Sequence, residues 1–89
     1  MTADEFKKAL LAKMIRTTKD ILKDEHYNLV KYGFDDFKDA FDVSEDFYME
    51  TLLEMRHDGL ITIDLNGYED LSRSIISATT KGIEFLENN

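Results

Sequence analysis

The sequence predicts an α+β fold in which three helices precede a two-stranded hairpin and a short C-terminal helix ends the chain. Two observations carry this prediction. Apolar residues recur at three- and four-residue spacing through most of the first 58 positions, which is typical of amphipathic helices. A β-rich segment with alternating polarity follows at residues 60–65, and a second such segment lies at residues 74–79.

Composition limits the class of protein. The chain has 89 residues, a formal net charge of −8, 43% apolar residues and no Cys or Pro, so we expect one domain spanning residues 1–89 without disulfides or thiolate chemistry. No apolar run approaches the ~18 residues of a membrane span. The acidic N-terminus lacks the apolar segment of a signal peptide. We therefore expect a soluble, cytoplasmic domain with no membrane partner.

A long first helix is predicted over residues 3–23. Thr2 is a suitable N-cap, and Asp4 and Glu5 stand in the first turn, where the helix dipole favours acids. The lysines lie on the opposite face from the apolar stripe. That stripe consists of Phe6, Leu10, Met14, Thr18 and Ile21.

Residues 24–33 have no clear period and predict a loop or short turn that ends at Gly33. We expect its apolar side chains to pack on the core; they are Tyr27, Leu29, Val30 and Tyr32. A second, short helix is predicted from the apolar stripe that follows, with four aspartates facing away from it. The stripe consists of Phe34, Phe37, Ala40 and Phe41, and the aspartates are Asp35, Asp36, Asp39 and Asp42.

The third helix has the clearest boundaries. Ser44 is an N-cap followed by Glu45 and Asp46, and the helix runs to about Asp58, with Gly59 as its left-handed C-cap. Residues 60–65 (LITIDL) and 74–79 (SIISAT) form the two strands, joined by a polar loop that begins with the turn signal Asn-Gly at 66–67. Thr79 or Thr80 caps the final helix.

This order is that of a winged helix-turn-helix domain, in which the second and third helices form the helix-turn-helix and the loop around residues 68–73 is the wing. Residues 44–61 (SEDFYMETLLEMRHDGLI) and 78–88 (ATTKGIEFLEN) together resemble the YjcQ-like family, small winged-helix proteins of bacteria and their phages. The resemblance covers about a third of the chain. It implies a non-enzymatic regulatory protein, phage-derived and with DNA binding as one option.

Charge is unevenly distributed. Residues 1–33 carry seven bases and five acids, whereas residues 34–89 carry four bases and fourteen acids. The third helix and the wing of a DNA reader need Lys or Arg for the phosphates, but here both are mainly acidic. If Tyr48, Leu52 and Met55 face inward, Met49 and Leu53 face outward within an acidic rim. We therefore predict a protein-binding surface; its residues are Met49, Glu50, Leu53, His57, Asp35 and Asp39.

Three alternatives stay open. The helix phase could be shifted by one residue, which would place Met49 and Leu53 in the core. The protein could instead be a DNA-binding regulator that acts as a homodimer, with a basic set of residues on phosphates. Or its acids could mimic DNA and block a nucleic-acid-binding protein. The basic set consists of Lys7, Lys8, Lys13, Arg16, Lys19 and Arg73.

Nothing in the sequence indicates catalysis. His26 and His57 are 31 residues apart with no Cys nearby, and the four glycines are scattered rather than grouped in a phosphate-binding loop. The four aspartates at 35, 36, 39 and 42 lack the alternating spacing and the turn glycine of a calcium loop. We expect no enzymatic activity, no catalytic residues, no cofactor and no metal site.

Overall fold

The computed structural model describes residues 1–22, 31–65, 67 and 70–88, with only the backbone for residues 17–22. The described chain is α+β, with three α-helices and a small three-stranded antiparallel sheet. Within it, no helix combines the length and apolar character needed to cross a bilayer. In chain order the elements are α1 (Ala3–Leu22), β1 (Tyr32–Gly33), a 3-10 turn (Lys38–Ala40), α2 (Glu45–His57), β2 (Ile61–Asp64), a second 3-10 turn (Leu71–Arg73), β3 (Ile75–Ala78) and α3 (Thr80–Glu87).

Side-chain caps set the helix ends as predicted. At α1, the hydroxyl of Thr2 accepts the Glu5 N–H at 3.2 Å and the Glu5 carboxylate accepts the Thr2 N–H at 3.4 Å, a reciprocal capping box. These bonds to Thr2 lower the pKa of Glu5. Ser44 caps α2 by accepting the Phe47 N–H at 3.1 Å. Gly59 follows α2 in the left-handed conformation, with φ of +79°, which L side chains rarely adopt.

The predicted second helix is wrong. Phe34 and Phe37 are buried as expected, but the chain passes through successive tight turns, and only Lys38–Ala40 is helical, in the 3-10 form. The backbone N–H groups of Asp36 and Lys38 bond the carbonyls three residues earlier, both at 3.1 Å, so this segment forms tight turns instead of the four-residue pattern of an α-helix. The Phe34 N–H bonds the Ser74 carbonyl at 2.9 Å and so extends the pairing of β1 with β3.

The sheet has a third strand that the sequence did not predict. The strand order is β1-β3-β2, so β3 is the central strand. It pairs with β2 on one side and with the two residues of β1 on the other. In this sheet Ile63 pairs with Ile76, and Ile76 also pairs with Tyr32. The predicted loop residues Tyr27, Leu29 and Val30 lie outside the described residues, as do Asn66 and the first two residues of the wing, 68 and 69.

The core lies between α1, α2 and the inner face of the sheet. Phe6 of α1 is fully buried and meets Phe41, Phe47 and Tyr48 edge to face, with ring centroids 5.1, 5.6 and 5.8 Å away. The Tyr48 hydroxyl donates to the Phe34 carbonyl at 2.5 Å, which fixes the turn before α2 against the helix. Burial raises the pKa of the Tyr48 phenol, and the charge of Asp35 adds to the effect.

The two segments that carry the family resemblance meet at the start of α3. The Thr79 hydroxyl donates to the carbonyls of Gly59 and Leu60, at 2.6 and 3.0 Å, and accepts the Gly82 N–H at 3.0 Å. Gly82 is buried against the Leu60 backbone. This contact, which we call the α3 clasp (Gly59, Leu60, Thr79 and Gly82), closes the C-terminal helix onto the turn that leads from α2 into β2.

Candidate interaction face

The structure sets the rotation of α2 about its axis. Tyr48, Leu52 and Met55 are at most 1% exposed, which confirms the predicted inward face. Met49 is 37% exposed, so the alternative in which it enters the core is wrong. Leu53 is half-buried. It follows Tyr48 by five residues, which is one full turn plus about 140°, so it lies on the outward side of the helix.

The outward side of α2 forms one continuous strip. We define the outer face of α2 as the five residues that point away from the core, of which all but Leu53 are exposed. Along the helix, the two carboxylates lie on either side of Met49, Leu53 follows, and the His57 imidazole lies at the C-terminal end. The five residues are Asp46, Met49, Glu50, Leu53 and His57.

Two other acids of α2 are neutralised by ion pairs within the chain. Glu45 holds Lys38 at 2.9 Å, and this hydrogen bond lowers the pKa of Glu45 and raises that of Lys38. Glu54 holds Lys7 of α1, also at 2.9 Å. Neither Asp46 nor Glu50 has a basic side chain within 4.0 Å in the described part of the chain. The outer face therefore carries the uncompensated carboxylates of this helix.

The surrounding chain adds to the negative field. Residues 34–64 contain ten acids and two bases, a net charge of −8 that equals the charge of the whole chain. Asp35 and Asp39 are exposed, as predicted for the interaction surface, and lie on the turn that Lys38 ties to the N-terminal end of α2.

Lys7 is buried and ion-paired, which separates it from the other members of the predicted basic set. Its side chain is 8% exposed and is bound to Glu54, with Asp4 at 4.0 Å. Leu10 and Leu11, three and four residues later, are both fully buried and mark the same side of α1. This spacing is the signal in the sequence that separates Lys7 from the solvent-facing lysines.

Of the other residues predicted to contact phosphates, those whose side chains the structure describes are exposed or half-buried. Lys13 and Arg16 are exposed on α1, and Lys8 is half-buried there. Arg73 is exposed at the end of the second 3-10 turn. The Lys19 side chain lies outside the described residues. The basic set is thus reduced to a short stripe on α1 and one residue near the hairpin.

Asp46 is a member of the site that the predicted set omitted. It stands four residues before Glu50, and the i, i+4 spacing in the sequence is the signal that places both carboxylates on one face. Among the described residues, no three His, Asp or Glu side chains are arranged to hold a metal ion.

Comparison with known proteins identifies no relative. No protein-family model matches the chain, and the searches found neither a matching curated protein nor a matching solved structure. The chemistry of the outer face itself therefore carries the functional argument.

Proposed function

We propose that this protein is a winged-helix interaction module, non-enzymatic and regulatory, that binds another protein through the outer face of α2. The element order α1, β1, turn, α2, β2, β3, α3 and the strand order β1-β3-β2 support the winged-helix assignment. A tight turn stands where the second helix of that fold would be. The resemblance of residues 44–61 and 78–88 to the YjcQ-like family of bacterial and phage proteins adds to this proposal.

The observation that carries the proposal is the charge of α2. In a DNA-binding winged helix the corresponding helix enters the major groove, between two rows of phosphates. Here that helix presents Asp46 and Glu50 without intrachain cations in the described residues, and DNA would repel both. Exposed Met49 and half-buried Leu53 supply apolar area suited to a protein surface.

A charge-reversal experiment tests this proposal. The variant Asp46→Lys/Glu50→Lys changes the outer face, while Glu84→Lys/Glu87→Lys makes the same charge change at exposed positions of α3. Immobilised wild type and both variants are used to capture proteins from a bacterial extract, with quantification by mass spectrometry. We expect some proteins to be captured in equal amounts by the wild type and the α3 variant. The α2 variant should capture at least tenfold less of the same proteins.

Glu54 is left unchanged in this experiment because it holds the buried Lys7, and its reversal would disturb the fold. Thermal unfolding of each variant, followed by circular dichroism, verifies that the fold is kept. Equal capture of the same proteins by all three forms would show that the outer face of α2 is not the binding surface.

The DNA-binding alternative rests on three basic residues of α1, of which Lys13 and Arg16 are exposed and Lys8 is half-buried. Lys8, Lys13 and Arg16 lie on that helix away from the core, and a homodimer could align two such stripes along a duplex. This candidate predicts an affinity that falls steeply with salt. It ranks second because the stripe offers three cations per chain, whereas the segment 34–64 carries a net charge of −8.

A further inference from the structure

The outer face of α2 also defines the chemistry of its partner, an inference that rests on the proposed function. We infer that the partner presents a cationic segment in which two Lys or Arg side chains bracket an apolar side chain. The cations meet Asp46 and Glu50, and the apolar side chain lies against Met49 and Leu53.

The first step concerns desolvation. A complex that covers Met49 also removes water from the neighbouring Asp46 and Glu50, and a buried carboxylate without a partner is strongly unfavourable. Lys38 and Lys7 already bind Glu45 and Glu54, so these cations are committed elsewhere. Arg56 is exposed on the same helix, but among the described residues it is not within 4.0 Å of either carboxylate, so we expect the positive charges to come from the partner.

The second step concerns spacing. Asp46 and Glu50 are one helical turn apart, which corresponds to a rise of about 6 Å. Lys or Arg at positions i and i+4 of a partner helix have the same separation, and an apolar residue at i+3 lies between them on the same face. Because α2 is convex, such a helix would pack alongside it rather than insert into a pocket.

Other occupants fit less well. A second copy of this face would place four carboxylates together, and duplex DNA would bring phosphates against them. A purely apolar partner would cover Met49 and leave Asp46 and Glu50 unpaired. Electrostatic complementarity thus selects a basic partner and steers its association.

The test uses a labelled helical peptide with Lys at i and i+4 and Leu at i+3, repeated along one face, and a scrambled peptide of the same composition. Fluorescence anisotropy is measured with the wild type, Asp46→Asn/Glu50→Gln, Met49→Ser and the control Glu84→Gln/Glu87→Gln. We expect the patterned peptide to bind the wild type and the control equally, about tenfold more weakly to the Asp46/Glu50 variant, and severalfold more weakly to Met49→Ser.

Two results would overturn the inference. One is equal binding of the scrambled peptide, which would show attraction to net charge alone. The other is equal binding of the control and the Asp46/Glu50 variant. If either occurs while the extract experiment still shows partners lost only with the α2 variant, the proposed function stands and only the cationic partner is excluded. If the α2 variants behave like the wild type in both the extract experiment and the peptide experiment, the proposed function fails as well.

Discussion

Replacing Gly82 with alanine is expected to destabilise the fold by about 2–4 kcal/mol. A Cβ atom at this position would lie 2.2 Å from the Leu60 carbonyl oxygen and 3.2 Å from a Leu11 methyl. The Leu60 oxygen cannot retreat easily, because it accepts hydrogen bonds from both the N–H and the hydroxyl of Thr79. In a helix, alanine is more favourable than glycine by about 1 kcal/mol. A net loss of stability in Gly82→Ala would therefore be due to the clash and not to helix propensity.

Urea denaturation followed by circular dichroism measures this effect. Gly67→Ala is the matched control, since a Cβ there meets nothing within 4 Å but the backbone has φ of +83°. We expect the control to lose only about 1 kcal/mol, from the left-handed conformation. If Gly82→Ala is as stable as the wild type, α3 does not pack on Leu60 as described and the α3 clasp is wrong.

The second large effect concerns the ion pair of Lys7 and Glu54. Replacing Glu54 is expected to lower the free energy of unfolding much more than replacing Lys7. Glu54→Ala is expected to destabilise the protein by about 1–3 kcal/mol. It leaves the Lys7 ammonium, on a side chain only 8% exposed, with Asp4 at 4.0 Å as its one acidic neighbour among the described residues. Lys7→Met is expected to cost much less, since Met retains most of the packing against the core and leaves Glu54 exposed to water.

A double-mutant cycle separates the pair from the individual side chains. Lys7→Met/Glu54→Ala should recover most of the stability lost in Glu54→Ala. Glu50→Ala is the control, as an exposed acid on the same helix, and is expected to change stability by less than about 0.5 kcal/mol. Identical stability of Glu54→Ala and Glu50→Ala would contradict a stabilising ion pair between Lys7 and Glu54.

The helices and hairpin follow from local signals in the sequence. The caps at Thr2, Ser44 and Thr79 and the left-handed Gly59 set the element ends, and the buried trio Tyr48, Leu52 and Met55 sets the phase of α2. That phase is what brings Met49 to the surface. The central residues of the candidate site were therefore predictable from residue spacing.

Other features depend on tertiary contacts and carry weak local signals. The apolar spacing from Phe34 to Phe41 suits consecutive tight turns as well as a helix, and pairing of β1 with β3 decides between them. A two-residue strand at Tyr32 is too short to show a period. The ion pair of Lys7 and Glu54 joins residues 47 positions apart, so spacing along the chain cannot indicate it.

The central claim is that this fold presents an acidic, protein-binding face where a winged-helix regulator presents a DNA-reading one. Fluorescence anisotropy of a labelled random duplex DNA, at about 50 and about 200 mM salt, tests it most directly. We expect no binding by the wild-type protein at either salt concentration. Micromolar binding at the lower concentration that disappears at the higher one would contradict the claim and favour a dimer that binds phosphates through α1.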